Sequence, residues 1–416
     1  MKRLVPVVVA TVLTAGSAAA GALLLARWLG PEGQGKYGTA ILVSSMTALL
    51  LSMSTGVAVR LRLGHLAAQA DPLHTQRQVM SSFTFLSLLL AVGASAIAAV
   101  IDSVLYEMAP SLDPGPQSTL VVAGVSGLIV LSRQAAELLM AVRSVVVGIG
   151  VQAILGISVV LLFAFILRDR APNPFEALLT YGAGVGAVLI ACMMLLSLDS
   201  RFRSLAWSAT EARHLVVDGL RIFGLTVGLI IAGRVDRILL AVISGPYLAG
   251  LYGIATTISE STRFLPQSLA QHVLRVALAT KESLSRWTTL SIWGLLLGLG
   301  LSTLLLAPWL VTTLVGSAYL GAVSPLRILA LAEVFMGIAL VESRRLLARQ
   351  NQSYVGRVGL AVGLIAGPLY AVAAAIGNMS GVAWASVLLY GALASAYLFR
   401  SLGTGGLEVG RWPKSA

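Results

Sequence analysis

From Leu4 to Ala26 the chain carries no charged side chain, and apolar stretches of similar length recur along its 416 residues. Crossing the hydrocarbon core of a bilayer takes about 20 apolar residues. In that medium the backbone has no water to bond, so such stretches are held to helices. The composition agrees, with 57% hydrophobic and 11% charged residues, against about 25% charged in soluble domains. An all-α polytopic membrane protein is expected, with apolar windows at 4–27, 36–59, 79–101, 118–142, 144–167, 177–198, 215–241, 248–275, 287–307, 325–349, 354–376 and 380–399. Lys2 and Arg3 before the first window imitate a secretory leader. The uncharged run is longer than a leader's core of about 7 to 15 residues, so it reads as a retained first helix.

Numbered across these windows, nineteen of the 29 Lys and Arg residues fall on one side, four (Arg27, Lys36, Arg168, Arg170) on the other, and six within or at the edges of spans. Positive charge accumulates on the cytoplasmic side, which places both termini there. The expected organisation is an N-terminal six-helix lobe over 1–200, a cytoplasmic linker over 201–214, a C-terminal six-helix lobe over 215–400 and a cytoplasmic tail over 401–416. The formal charge of +12 follows largely from this bias. It calls for no nucleic acid and suits the anionic headgroups of membrane lipids. The lone Cys192 and four scattered histidines offer no disulfide or metal-ligand spacing, so no cofactor is expected. There is no GxxxxGK[ST] phosphate loop.

The segment LLARWLGPEGQGKYGTAILVSSMTALL from Leu24 is matched 215 residues later by LLAVISGPYLAGLYGIATTISESTRFL from Leu239, with twelve of 27 positions identical. The shared GPxxxGxYG marks an internal duplication. Gly30, Pro31 and Tyr37 join spans 1 and 2; Gly245, Pro246 and Tyr252 join spans 7 and 8. Six helices per copy give both halves one orientation, a parallel repeat about an axis along the membrane normal, with a substrate site between the halves. Locally, Gly-Pro stops one helix, Gly35 or Gly250 lets the chain turn, and the tyrosine suits headgroup depth. The turns read as structural.

LLARWLGPEGQGKYGTA, RVDRILLAVISGPYLAGLYGIA and LVGSAYLGAVSPLRILALAEVF together resemble the polysaccharide-biosynthesis branch of the multidrug/oligosaccharidyl-lipid/polysaccharide exporter superfamily, the O-antigen-type flippases. The resemblance implies a MATE-like fold of two six-helix lobes around a central cavity. It also implies translocation of a polyprenyl-pyrophosphate-linked oligosaccharide across a bacterial inner membrane by alternating access, with H+ or Na+ as coupling ion and the polysaccharide polymerase machinery as partner.

Charges within the spans are costly and mark function. Arg133 and Glu137 stand four apart in span 4, Glu260 and Arg263 three apart in span 8, and Arg234, Asp236 and Arg237 cluster in span 7. Each pair reads either as a local lock or as cavity chemistry, with Arg133, Arg263 and Arg237 meeting pyrophosphate and Glu137, Asp236, Glu260 and Glu333 tuning charge or carrying the coupling ion. The first copy has Ser45 and Ala48 where the second has Glu260 and Arg263, so the fold alone does not demand that pair. Asp236 is expected near the outer end of span 7. Glu333 reads as a carboxylate with no close partner along its own helix beyond Arg327, or one bonded to a neighbouring helix, and Glu342, Arg344 and Arg345 as snorkelling at a helix end. Glycine steps of four at Gly148–Gly156 and Gly359–Gly367 read as helix packing. Tyr181, Gln134, Gln152 and Asn378 could bond sugar or other helices. A multidrug exporter of the same superfamily, or a membrane polymerase or ligase, are the competing functions.

Overall fold

The computed structural model describes residues 5–68, 73–115, 117–166, 173–199, 206–267, 269–270, 286–349 and 351–403. Lys2, Arg3, Arg168, Arg170, Arg201, Arg203, Arg275, Lys281, Arg411 and Lys414, on which part of the orientation argument rests, lie outside the described residues. So do 201–205 of the expected linker, 404–416 of the expected tail and 271–275 of the eighth span.

The long helices are α1 Val5–Leu51, α2 Thr55–Ala68, α3 Leu73–Met108, α4 Ser118–Val142, α5 Val145–Ile166, α6 Pro174–Ser197, α7 Ala209–Ala232, α8 Val235–Ser244, α9 Pro246–Ser261, α10 Arg286–Leu314, α11 Val323–Ala348 and α12 Gln352–Gly403. Eight helices among the described residues are long and apolar enough to cross a bilayer. Two of these, Gly16–Leu66 and Ser353–Gly403, run 51 residues each, far more than one crossing needs. Each is broken inside, at Gly30 and at Asn378, and so supplies two passes. With α7–α8 and the helix opening at Pro246, the expected twelve passes are reached.

Passes 1 to 6 pack on one another, chiefly α1 on α5, α3 on α4 and α4 on α6; passes 7 to 12 do likewise, chiefly α7 on α12, α10 on α11 and α11 on α12. Across the two groups α1 meets α9, and α2 and α3 meet α7. The glycine steps serve this packing. A Cβ on Gly228 would fall 1.9 Å from the Gly359 carbonyl oxygen, one on Gly363 2.7 Å from the Gly228 Cα, and one on Gly156 1.9 Å from the Ser17 hydroxyl. Gly367 has nothing within 4 Å.

The duplicated turns adopt one conformation, Gly30 at φ 68, ψ 174 and Gly245 at φ 87, ψ 170, a region open essentially to glycine alone. Gly35 and Gly250, expected to make the turn, lie inside helices instead and serve close approach. Tyr37 and Tyr252 are buried within the protein, and the Tyr252 hydroxyl donates to Asp236 at 2.9 Å. Tyr319, expected in an interfacial segment with Trp309, is likewise buried and donates to the Ala26 carbonyl at 2.8 Å. The break after Ala26 frees carbonyls of the last helical turn, and the phenol satisfies one. Tyr370 does the same for Ala232, at 2.8 Å, beside the α7–α8 break.

Candidate functional site

Span 7 is not one helix. It stops at Ala232, and Arg234 precedes the first turn of α8. The interruption turns Arg234 and Arg237 into a cavity of about 460 Å³ between the two groups of passes. Its other walls come from both halves of α1 (Thr14, Ser17, Gln34, Tyr37, Ser45), from α4 (Ser132, Arg133), from α5 and α6 (Gln152, Tyr181), and from Gly253 and Thr257 of α9. Among the described residues lining it there are three arginines and no carboxylate.

The ion pairs differ from those expected along single helices. Glu137 pairs with Arg60 of α2, at 2.7 Å, and not with its own-helix neighbour Arg133. Glu137 stays within Coulombic reach of Arg133, which has no ion pair among the described residues and is exposed to the cavity. Arg237 pairs with Glu260. Arg263 stands 3.8 Å from the same Glu260 but holds Glu333 with two guanidinium N–H groups, one of them at 2.6 Å. It also donates to the Tyr390 hydroxyl at 3.3 Å and lies over that ring at 5.5 Å.

Glu333 is therefore not an unpaired carboxylate, and its partner is not Arg327. Helix α11 brings it against Arg263 from a distance of 70 residues in sequence. The row Arg237, Glu260, Arg263, Glu333 alternates in sign and neutralises itself. Arg263, expected in the cavity, is not among the residues lining it.

Asp236 is displaced from its expected place as well. Because α8 continues to Ser244, Asp236 lies eight residues, about 12 Å, inside that end. It is buried, accepts from Tyr252 at 2.9 Å on Oδ2, and its Oδ1 has no partner. Glu342 is fully buried against Arg345 at 2.7 Å, a lock rather than a snorkelling group.

The cavity arginines without an ion pair among the described residues are thus Arg133 and Arg234. Among the described residues Arg234 bonds a neutral group, donating to the Ser45 hydroxyl at 3.1 Å, and stands within Coulombic reach of Arg133. The sequence places Arg234 in a charged cluster of span 7 without marking it as a site residue. The signal for it is Gly233 directly before the charged RVDR stretch. Tyr181 and Gln152 line the cavity. Gln134 is spent on Thr55 at 2.8 Å, and Asn378 makes the break between passes 11 and 12.

No family model matches the chain, and no curated protein matches it. Solved structures do. A multidrug resistance MATE family transporter of the MOP superfamily in its inward-facing conformation superposes with TM-score 0.76 at 14% identity, over 94% of this chain and 93% of that one. The lipid II flippase MurJ, in an inward closed conformation, gives 0.74 at 13% over 94% and 86%. An outward-facing MATE structure gives 0.62 at 13% over 97% and 96%. The chain is similar to these proteins in fold: an all-α, multi-pass architecture of the MATE and MurJ type.

Proposed function

We propose that the protein is a flippase that moves a polyprenyl-pyrophosphate-linked oligosaccharide from the inner to the outer leaflet of a bacterial inner membrane by alternating access. The observation that carries this reading is the cavity, whose lining holds two arginines with no ion pair among the described residues. Guanidinium suits the planar, bidentate contacts of phosphate oxygens, and two such groups inside a membrane protein call for a ligand carrying negative charge. Arg133 and Arg234 hold the pyrophosphate, with Arg237 beside them. Gln152, Tyr181 and Gln34 face the first sugars.

Among the intramembrane acids, Asp236 is the coupling group for H+ or Na+, since it has a free carboxylate oxygen and no arginine ion pair among the described residues. Glu137, Glu260 and Glu333 tune the charge of their arginines. The lobes are residues 1–200 and 215–400, joined by a cytoplasmic linker over 201–214, with both termini in the cytoplasm. On this reading the protein is a transporter and not an enzyme, and it hands its substrate to polysaccharide polymerase machinery.

The test is transport in proteoliposomes, with a fluorescent polyprenyl-pyrophosphate oligosaccharide loaded in one leaflet and its arrival in the other followed. Movement above that of protein-free vesicles, lost in Arg133→Ala and in Arg234→Ala, is expected. Normal movement in both variants overturns the role of the cationic cavity.

A further inference from the structure

The two copies of the turn touch. A Cβ on Gly35 would lie 1.8 Å from the carbonyl oxygen of Pro246, and a Cβ on Gly250 would lie 1.8 Å from the carbonyl oxygen of Pro31. Each glycine belongs to one copy and each carbonyl to the other, so the contact is reciprocal about the repeat axis. Both neighbours are backbone, and backbone cannot swing aside as the end of a side chain can. Gly250 also sits so close to the first copy that its Cβ would fall 3.0 Å from the Gly35 amide nitrogen.

The contact has a position as well as a symmetry. Gln34, Gly35, Gly38, Ala249 and Gly253 are all among the cavity lining, so the crossed turns form its roof. Around them Ala109, Leu112, Ala241 and Ala249 make a small apolar cluster between the two groups of passes, and Tyr319 ties the Ala26 carbonyl to the opposite lobe. A glycine one turn further along each helix, Gly38 or Gly253, has nothing within 4 Å. The demand for a missing side chain at Gly35 and Gly250 is therefore not shared by the next glycine along either helix.

We infer that this reciprocal glycine-on-carbonyl contact is the gate on the turn side of the cavity: closed only while both positions lack a side chain, and opened by separation of the two turns. The chain writes the same turn twice because each copy supplies the other's seat. A closure made of backbone van der Waals contact, without ion pair or hydrogen bond between the glycines and the carbonyls, parts without leaving charges unpaired. The inference rests on the transporter reading only in naming the turn side as the outer one.

The experiment uses the full chain in sealed proteoliposomes with the turn side facing outward, and needs no substrate. Thr257, which lines the cavity well below the roof, is replaced by Cys as a reporter. The parent chain with its buried Cys192 serves as the background. Labelling with a membrane-impermeant maleimide from the turn side is expected to be slow, and at least tenfold faster when Gly35→Ala or Gly250→Ala is added. Gly38→Ala and Gly253→Ala are expected to leave the rate where it was. Equal rates for all four variants overturn the gate.

Should the alanine variants fail to insert, spin labels at the solvent-exposed Glu32 and Tyr247, one on each turn, report the same event without touching the crossing point. Two populations of separation in the otherwise unsubstituted chain are expected, and a single short separation under every condition, active transport included, overturns it. An opened gate in a protein that moves no lipid-linked pyrophosphate would count against the proposed substrate and leave the gate standing.

Discussion

Removing the Arg263 guanidinium strips the buried Glu333 carboxylate of the group that binds it through two N–H donors, and breaking a buried pair from one side costs about 3–5 kcal/mol. Arg133 has no such partner to abandon among the described residues. Arg263→Ala should therefore lower the thermal midpoint of the detergent-solubilised protein by several degrees, and Arg133→Ala should leave it close to the parent while abolishing transport. Arg263→Met combined with Glu333→Leu should recover most of the lost midpoint, because an apolar replacement of both partners removes the uncompensated charge. Thermal unfolding by intrinsic fluorescence, read beside the flipping assay, decides this. Equal midpoints for the two single variants would put Arg263 in the cavity after all. At Arg133 and Arg234, replacement by Lys should restore only part of the transport, since an ammonium keeps the charge and loses the bidentate fork. Full restoration reduces their role to charge alone.

Within one glycine ribbon of α12 the structure separates two kinds of position. Gly363 lies against the Gly228 backbone, where a Cβ would approach to 2.7 Å, whereas Gly367 faces open space. Gly363→Ala should cost about 1–3 kcal/mol by overpacking, visible as a lower thermal midpoint. Gly367→Ala should be neutral or stabilising by up to about 1 kcal/mol, as alanine is a better helix former. A midpoint drop of equal size at both would show that the ribbon acts through helix flexibility instead. The sequence alone could not tell these two apart, because both recur at the same step of four. It did place whole elements well: the window 118–142 coincides with Ser118–Val142, bounded on both sides by polar and turn-forming residues. It read span 7 as unbroken because helical periodicity is silent about a backbone interruption when every face is apolar. Ion-pair partners were misassigned for a related reason. Spacing along one helix proposes Arg133–Glu137, while the geometry gives Arg60–Glu137, a pairing set by which helices are neighbours.

At the scale of the whole molecule, the sign of the cavity decides which kind of cargo the fold can carry. A self-neutralising row of charges from Arg237 to Glu333 leaves Arg133 and Arg234 as the net charge facing the lumen. Two like unit charges 4 Å apart repel by about 4 kcal/mol at the effective dielectric typical near protein surfaces, so a cationic drug near either arginine loses roughly three orders of magnitude in occupancy. A pyrophosphate gains where the drug loses. Proteoliposomes should therefore flip lipid-linked pyrophosphates and leave cationic dyes inside, with or without an imposed H+ or Na+ gradient. Arg133→Glu combined with Arg234→Gln, which turns the lumen's net charge from positive to negative, should stop pyrophosphate transport and admit the dyes. Dye extrusion by the unsubstituted protein, without movement of pyrophosphate lipid, would mean that the cavity's charge does not select its cargo. The multidrug-exporter reading would then displace the flippase one.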